Sequence, residues 1–577
     1  MRLPVRTLLM IGSVVHLAAC AGTEPSPTLR FVTTVHQDGP VAYRDPVGAL
    51  SPDGQWIAYA GRGRLLRVQP VEGGAVRTLS TGERDVRYVT WMSDSRHIVT
   101  QERLFDRSSE PWHVYDRVSG AHERLWPDRD LAGVRHLTWS PGGGEVAGVF
   151  QAASGDQVWV WDTGGERLRQ YAAAPALSFP AWHAGGERIG CVSREDDVSW
   201  LRIDCAEPTT DIEAYGPLGF GPETVLLGRP NAAGFLELWS RAIDDGAMTR
   251  VAAFARDTYA PSVSDGAVLF KTQDYRTFIA VAPATGGPSS PVTRFQSETP
   301  SWDWNSDRIA FTFGGWRHVV DDAKYPDIDQ HLGTVRFVAG TTYDAPEVVV
   351  RQSYSEDQSL HWSPNGKWIA FHTHVESDDI WLMPADGSTD AVQISDGGHE
   401  TGWPRWSPDG RAVLYPSFRR DAEGARHAQV YVIGVDQESG SVTRPQAVVR
   451  LEGYDDDVIQ PDWANGGQDI VIESAPGFGR KRLHLVSAGG GTPQAFHEWE
   501  SDQGHSGISV SHDSQWVAYI GPANDGFYQV FRVPIAGGAP EQLTFDPTDK
   551  TQPAYSPDGA WIAFTAFHYS VQFWMTQ

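Results

Sequence analysis

Histidines and carboxylates gather in the second half of this 577-residue chain. In "FHTHVESDDIW" (371–381) His372 and His374 stand two apart, followed by Glu376, Asp378 and Asp379. On extended backbone two such imidazoles can point to the same side. Further groups lie in "SEDQSLHW" (Asp357, Gln358, His361), "DGGHETGWPRW" (His399, Glu400), "GYDDDVIQPDW" (Asp455, Asp456, Asp457) and "SDQGHSGISV" (Asp502, His505). The long "GGWRHVVDDAKYPDIDQHLG" adds Asp321, Asp322, Asp327 and Asp329. Imidazole and carboxylate can ligate a divalent transition metal, or hold and deprotonate a sugar-like substrate. We therefore take His372 and His374 as a candidate metal pair and His399, Glu400, Asp456, Asp457 and His505 as candidate ligand-binding residues, with none assigned a catalytic role. Arg419, Arg420, Arg480, Lys481 and Arg482 could bind an anionic ligand. No spacing here is as diagnostic as HExxH. The competing account is solvation, since loops are polar because they face water and 19 histidines will fall together by chance.

What could bring these loops together is a repeat. The same phrase returns as "ALSPDGQWIAYA" at 49, "LTWSPGGGEVAGVF" at 137, "LHWSPNGKWIAFHT" at 360, "PRWSPDGRAVLYPS" at 404 and "PAYSPDGAWIAFTA" at 553. Worn copies stand between them, among them "VTWMSDSRHIVTQ", "PSWDWNSDRIAFTF" and "ISVSHDSQWVAYI", for twelve in all. Each reads as two strands joined by a tight turn. Proline presets the first turn position, aspartate accepts backbone hydrogens, and glycine takes the positive φ that rejoins the ladder. A third strand, a Gly-rich turn and a fourth strand follow in most copies, and four antiparallel strands every 40 to 60 residues or so describe a propeller blade. The expected fold is all-β, about twelve four-stranded blades. Twelve exceed the usual four to eight per ring, so two tandem six-bladed propellers are expected, divided near Phe295 (31–295 and 296–577). "LRFVTTV" (29–35) is a spare strand that could complete the last blade, which has only three of its own. Trp91, Trp139, Trp182, Trp302, Trp362, Trp406 and Trp463 each precede the turn, a position that packs between blades.

The repeat resembles that of TolB-like propellers, and the resemblance covers nearly the whole chain after its first thirty residues. It implies a fold rather than an activity, because propellers host binding, scaffolding and catalysis alike. Two enzyme families offer comparisons. Propeller-bearing serine peptidases need a hydrolase domain with a G-x-S-x-G elbow, which is not found here. The oligogalacturonate lyase family uses histidines and a metal on acidic sugars, with only a loose echo in Gln358, His361 and His372.

The N-terminus "MRLPVRTLLMIGSVVHLAAC" pairs Arg2 and Arg6 with a short apolar run and reads as a signal peptide, residues 1–19. "LAAC" looks like a bacterial lipobox, which implies a lipidated Cys20 on a polar tether (20–30), with Ala21 favouring the outer membrane. The remaining cysteines, Cys191 and Cys205, flank a hairpin-like stretch and are expected to bridge in an oxidising periplasm. A net charge of −26 opposes phosphate contacts, so nucleic acid is discounted as a partner. The resulting expectation is a membrane-tethered, periplasm-facing scaffold that binds an envelope protein or glycan. Its alternative is a lyase or hydrolase acting on an anionic glycan from a His/Asp site in the mouth of the second propeller.

Overall fold

A computed structural model describes residues 29–576 except 37–47, 62–64, 81–83, 105–110, 154, 196–197, 207–211, 231–235, 253–257, 265–266, 314–328, 356–358, 374–378, 396–399, 421–425, 452–458, 476–479, 502–506 and 525. The fold is an all-β propeller, with a single 3-10 turn at Asn465–Gly467 as the helical element among the described residues.

Each repeat begins with the same local device. In the first, Ser51 Oγ donates to Asp53 Oδ1 (2.5 Å) and accepts from Trp56 N (2.9 Å), while Gly54, at φ 69°, returns its N–H to Ser51 O at 2.8 Å. Ser407–Asp409, Ser511–Asp513 and Ser556–Asp558 repeat the hydroxyl-to-carboxylate bond at 2.6 Å. Three of the worn copies have serine where glycine is expected, and Ser95, Ser306 and Ser514 take φ of 55°, 59° and 56°. Their hydroxyls accept amides from the neighbouring blade's turn: Asp53 N to Ser95 (3.0 Å), Asp558 N to Ser306 (3.0 Å) and Asn465 N to Ser514 (2.8 Å). These copies are therefore not decayed turns. They exchange an unstrained glycine for a bond that fixes one blade to the next.

The strands after the turns, such as Trp56–Ala60 and Arg308–Phe313, are buried on both faces rather than alternately. That follows from packing sheet on sheet around an axis, which leaves the core between blades. Ile520, Val530 and Leu543 of one blade, for example, meet Ile562 and Phe564 of the next. Four of the repeated tryptophans bond across the same gaps through their indole N–H groups. Trp91 donates to Ala49 O (2.9 Å), Trp182 to Thr138 O (3.1 Å), Trp302 to Ala554 O (3.0 Å) and Trp463 to Arg405 O (3.1 Å). Each acceptor lies on the inner strand of the preceding blade, one residue before that blade's own Trp position.

The described strands form eleven sheets, most of them four-stranded in simple consecutive order. Inner strands touch in two closed circuits. One runs Gly48–Leu50, Arg84–Trp91, Val134–Trp139, Leu177–Trp182, Tyr215–Phe220, Thr258–Ser264 and back to the first. The other runs Ser297–Trp302, Ser359–Trp362, Arg405–Trp406, Ile459–Ala464, Ile508–Val510, Asp549–Tyr555 and back.

One six-stranded sheet belongs to both circuits. Its centre is a ribbon of two long strands, Ala267–Pro283 and Trp561–Thr576, paired antiparallel without a register break from Leu269↔Met575 to Pro283↔Trp561. At one end Thr258–Ser264 and Leu29–His36 flank the ribbon, and at the other Asp549–Tyr555 and Ser290–Pro291. The N-terminal strand thus pairs with the last strand, starting at Leu29, inside the stretch expected to be tether. A cut near Phe295 does not follow these sheets, because the chain leaves the first circuit within Ala267–Pro283 and its last residues return to it.

Cys191 and Cys205 are disulfide-bonded, with Cα atoms 5.4 Å apart, and both are buried in the first circuit.

Candidate functional site

The alternation that turns each repeat's tryptophan into the gap between blades turns the preceding residue toward the axis. In the second circuit those residues are Ser301, His361, Arg405, Asp462, Ser509 and Ala554, and all six line one cavity of about 440 Å³. Trp302, Trp406, Trp463 and Tyr555 also line it, together with turn residues that include Asp409, Gly466, Ser511, His512 and Pro557. Trp304 and His512 meet there edge to face, with centroids 5.5 Å apart. The first circuit carries Ala49, Thr90, Thr138, Ala181 and Gly219 at corresponding positions. Further along its inner strands, His136 lies 4.5 Å from Phe179 and 5.7 Å from Tyr88.

Arg405 is half-buried and its guanidinium makes one hydrogen bond, Nη1 to Pro404 O at 3.2 Å. Among the described residues no carboxylate lies within ion-pair distance of it. Desolvation pulls its pKa below the usual value, and the field of Asp462 opposes that pull. Burial in turn pushes the Asp462 carboxyl up against the field of Arg405. Both Asp462 oxygens are engaged, Oδ1 by Trp463 N and Oδ2 by Val510 N, each at 2.8 Å. His361 is held neutral, its pKa lowered to about 3 by burial and by Arg405. Its Nδ1 accepts from Trp406 N at 3.1 Å, which makes Nε2 the protonated nitrogen. The cavity serines are engaged elsewhere: Ser301 Oγ accepts from Trp362 N and Ser509 Oγ from Tyr555 N. Among the described residues neither is bonded to His361. What it offers is recognition, with one cation, one acceptor, an imidazole donor and indole walls.

His374, His399, Asp456, Asp457 and His505 lie outside the described residues, as do Cys20, Gln358, Asp321, Asp322 and Asp327. Glu400 pairs through its backbone with Phe418, and Asp329 opens the strand Asp329–Arg336. His372 sits at 4% exposure on the strand Trp368–Thr373, opposite Ser359. Among the described residues no three histidine, cysteine or acidic side chains are grouped to hold a metal.

The basic run at 480–482 divides. Arg480 and Arg482 face out onto Glu498, but Lys481 is buried, with Nζ 2.9 Å from Oε1 of a fully buried Glu473. Solvation does not describe Lys481: a strand alternates sides, and its middle residue points in. Arg405 and Asp462 escaped notice because they sit inside the repeat phrase itself. The available signal was the residue before each tryptophan, small and neutral in the first half and charged in two copies of the second.

No family model matches the chain. A protein named "Uncharacterized peptidase YuxL" from Bacillus subtilis is 27% identical over 212 residues, 36% of this chain and 28% of that protein. A "Probable dipeptidyl-peptidase 5" from Aspergillus flavus is 30% identical over 146 residues, covering 22% and 19%. Among solved structures, a putative TolB from Agrobacterium tumefaciens is similar over 51% of this chain and 99% of its own, at 20% identity and a TM-score of 0.37. The chain spans from about a fifth to a half of the curated relatives it matches.

Proposed function

We propose that this TolB-like propeller is a binding scaffold of the bacterial cell envelope whose recognition site is the axial cavity of the second circuit. The observation that carries this reading is the cavity of about 440 Å³ on the second circuit's axis, walled by charged and polar inner-strand residues and by indoles. A photo-crosslinking side chain at His512, on the cavity rim, should capture a partner in intact cells far more efficiently than one at Glu187, an exposed turn residue of the first circuit. Equal capture at both positions, or at neither, refutes the reading.

Attachment through lipid on Cys20 and residence at the outer membrane, facing the periplasm, complete the proposal. They rest on the "LAAC" motif. Labelling with radioactive palmitate, absent in Cys20→Ala, tests that step. The names of the matched relatives favour a second reading, in which the scaffold serves peptide hydrolysis. Release of dipeptides from a peptide library by the purified chain would support it.

A further inference from the structure

The geometry points to a specific ligand chemistry for the axial cavity: we infer that Arg405 receives a single carboxylate group, carried by a small organic acid or by the C-terminus of an inserted peptide. This rests on the reading of the cavity as a recognition site and adds what the site recognises.

The guanidinium presents five N–H donors and uses one, on a backbone carbonyl, while lining a cavity. A desolvated cation with open donors is a costly arrangement, and structural arginines in such places are paired with an acid. The fork matches the two oxygens of a carboxylate, giving two parallel charge-assisted bonds. Other residues argue for one negative charge rather than two. The cavity holds no second arginine or lysine, and Asp462 and Asp409 share its wall. Asp513, on the adjoining turn, is kept ionised by the hydroxyl of Ser511. A phosphate dianion would meet one cation among several acids, whereas a monocarboxylate balances the guanidinium. About 440 Å³ is also room for roughly fifteen waters at ~30 Å³ each, enough for a ligand with a body behind its charged tip. The rim indole of Trp304 would face that body.

The probes are N-acetylglycine, its uncharged amide N-acetylglycinamide, acetyl-trialanine with a free or amidated C-terminus, and inorganic phosphate. Each is titrated into the full chain by calorimetry, with indole fluorescence as a second readout. Saturable binding of the acids, at least tenfold weaker for the amides and for phosphate, is expected. In Arg405→Met the preference for acid over amide should vanish. Arg405→Lys keeps the charge without the fork and should retain only part of it. Stronger binding of acetyl-trialanine than of N-acetylglycine would identify a peptide C-terminus, and equal binding a small acid. Equal binding of acid and amide, preference for phosphate, no acid binding, or an acid preference that survives Arg405→Met overturns the proposal. The outcomes separate from those of the scaffold reading: crosslinking from His512 that persists in Arg405→Met would keep the cavity as the site and discard carboxylate recognition.

Discussion

A buried and a half-buried cation of the second circuit should respond differently to the same substitution. Lys481 and Glu473 form a pair at 2.9 Å, with Glu473 fully buried. Removing the lysine in Lys481→Met leaves an uncompensated carboxylate in the interior, at a cost of about 3–5 kcal/mol. Among the described residues Arg405 has no such partner. Its single bond to Pro404 O is worth about 1.5–3 kcal/mol as a charge-assisted bond. Desolvating the guanidinium costs several kcal/mol against that. Arg405→Met should therefore change stability by less than about 1 kcal/mol, or raise it. Asp462 sets the limit on this argument, because loss of Arg405 removes the field that favours its ionised form. A carboxyl with a raised folded pKa loses stability as pH climbs from its unfolded pKa toward the folded one, so the gain in Arg405→Met should be larger at pH 5 than at pH 8. Both residues report on the same circuit, so urea unfolding of the two variants can be compared directly. A loss of 3 kcal/mol or more in Arg405→Met would show that the arginine is structural, and a loss under about 1 kcal/mol in Lys481→Met would show the buried-pair argument to be wrong.

Three further outcomes are expected. Ser306→Ala should cost about 1–2 kcal/mol, from a lost interblade bond with the positive φ retained, whereas Ser306→Gly should be nearly neutral because relief of φ offsets the lost bond; equal losses in a denaturant midpoint would contradict this. His136 and His361 both have folded pKa values of about 3, depressed by burial, so the stability they contribute is complete above their unfolded pKa near 6.5 and falls as pH drops toward 3; His361→Phe should flatten that part of the stability–pH curve. Deleting residues 569–577 removes the buried Val571, Phe573 and Met575 from the core shared with Leu50, Ile57 and Leu269. At ~1.5–3 kcal/mol each the loss is about 5–9 kcal/mol, enough to unfold the first circuit, and protease should then digest residues 29–270 while sparing 297–567.

Fold was legible where a residue's chemistry is local. The Ser-Pro-Asp-Gly turns could be read because they do their work within a few residues, the tryptophans because they recur at one place in the repeat, and the strand at 29–35 because it was left over, although it completes the sixth blade of the first circuit and not the last blade. The ribbon could not be read in the same way: Ala267–Pro283 is two ordinary strands run together, and nothing in its residues says that they seal different circuits. The candidate site was missed for a different reason. Histidine-rich loops draw attention because polar residues concentrate there, but the axis is lined by inner-strand residues whose neighbours are apolar. Arg405 stands between Pro404 and Trp406, and Asp462 between Pro461 and Trp463, where a charge in a buried strand was itself the anomaly to follow. The serines at 95, 306 and 514 looked like losses from the motif, because the bonds they make are to chain some 40 to 250 residues away.

The ribbon also imposes an order in time. A ribosome delivers the first circuit's five leading blades and half of the sixth, then must deliver every residue of the second circuit before the strand that finishes the first. Residues 29–36 wait for partners at 570–576, about 540 positions later. Until then the first circuit presents open strand edges and an unsealed core, the state in which β-rich chains associate wrongly. The second circuit needs no such wait, because its closing strands sit within one another's reach once residue 568 has emerged. The half made first is the half that closes last.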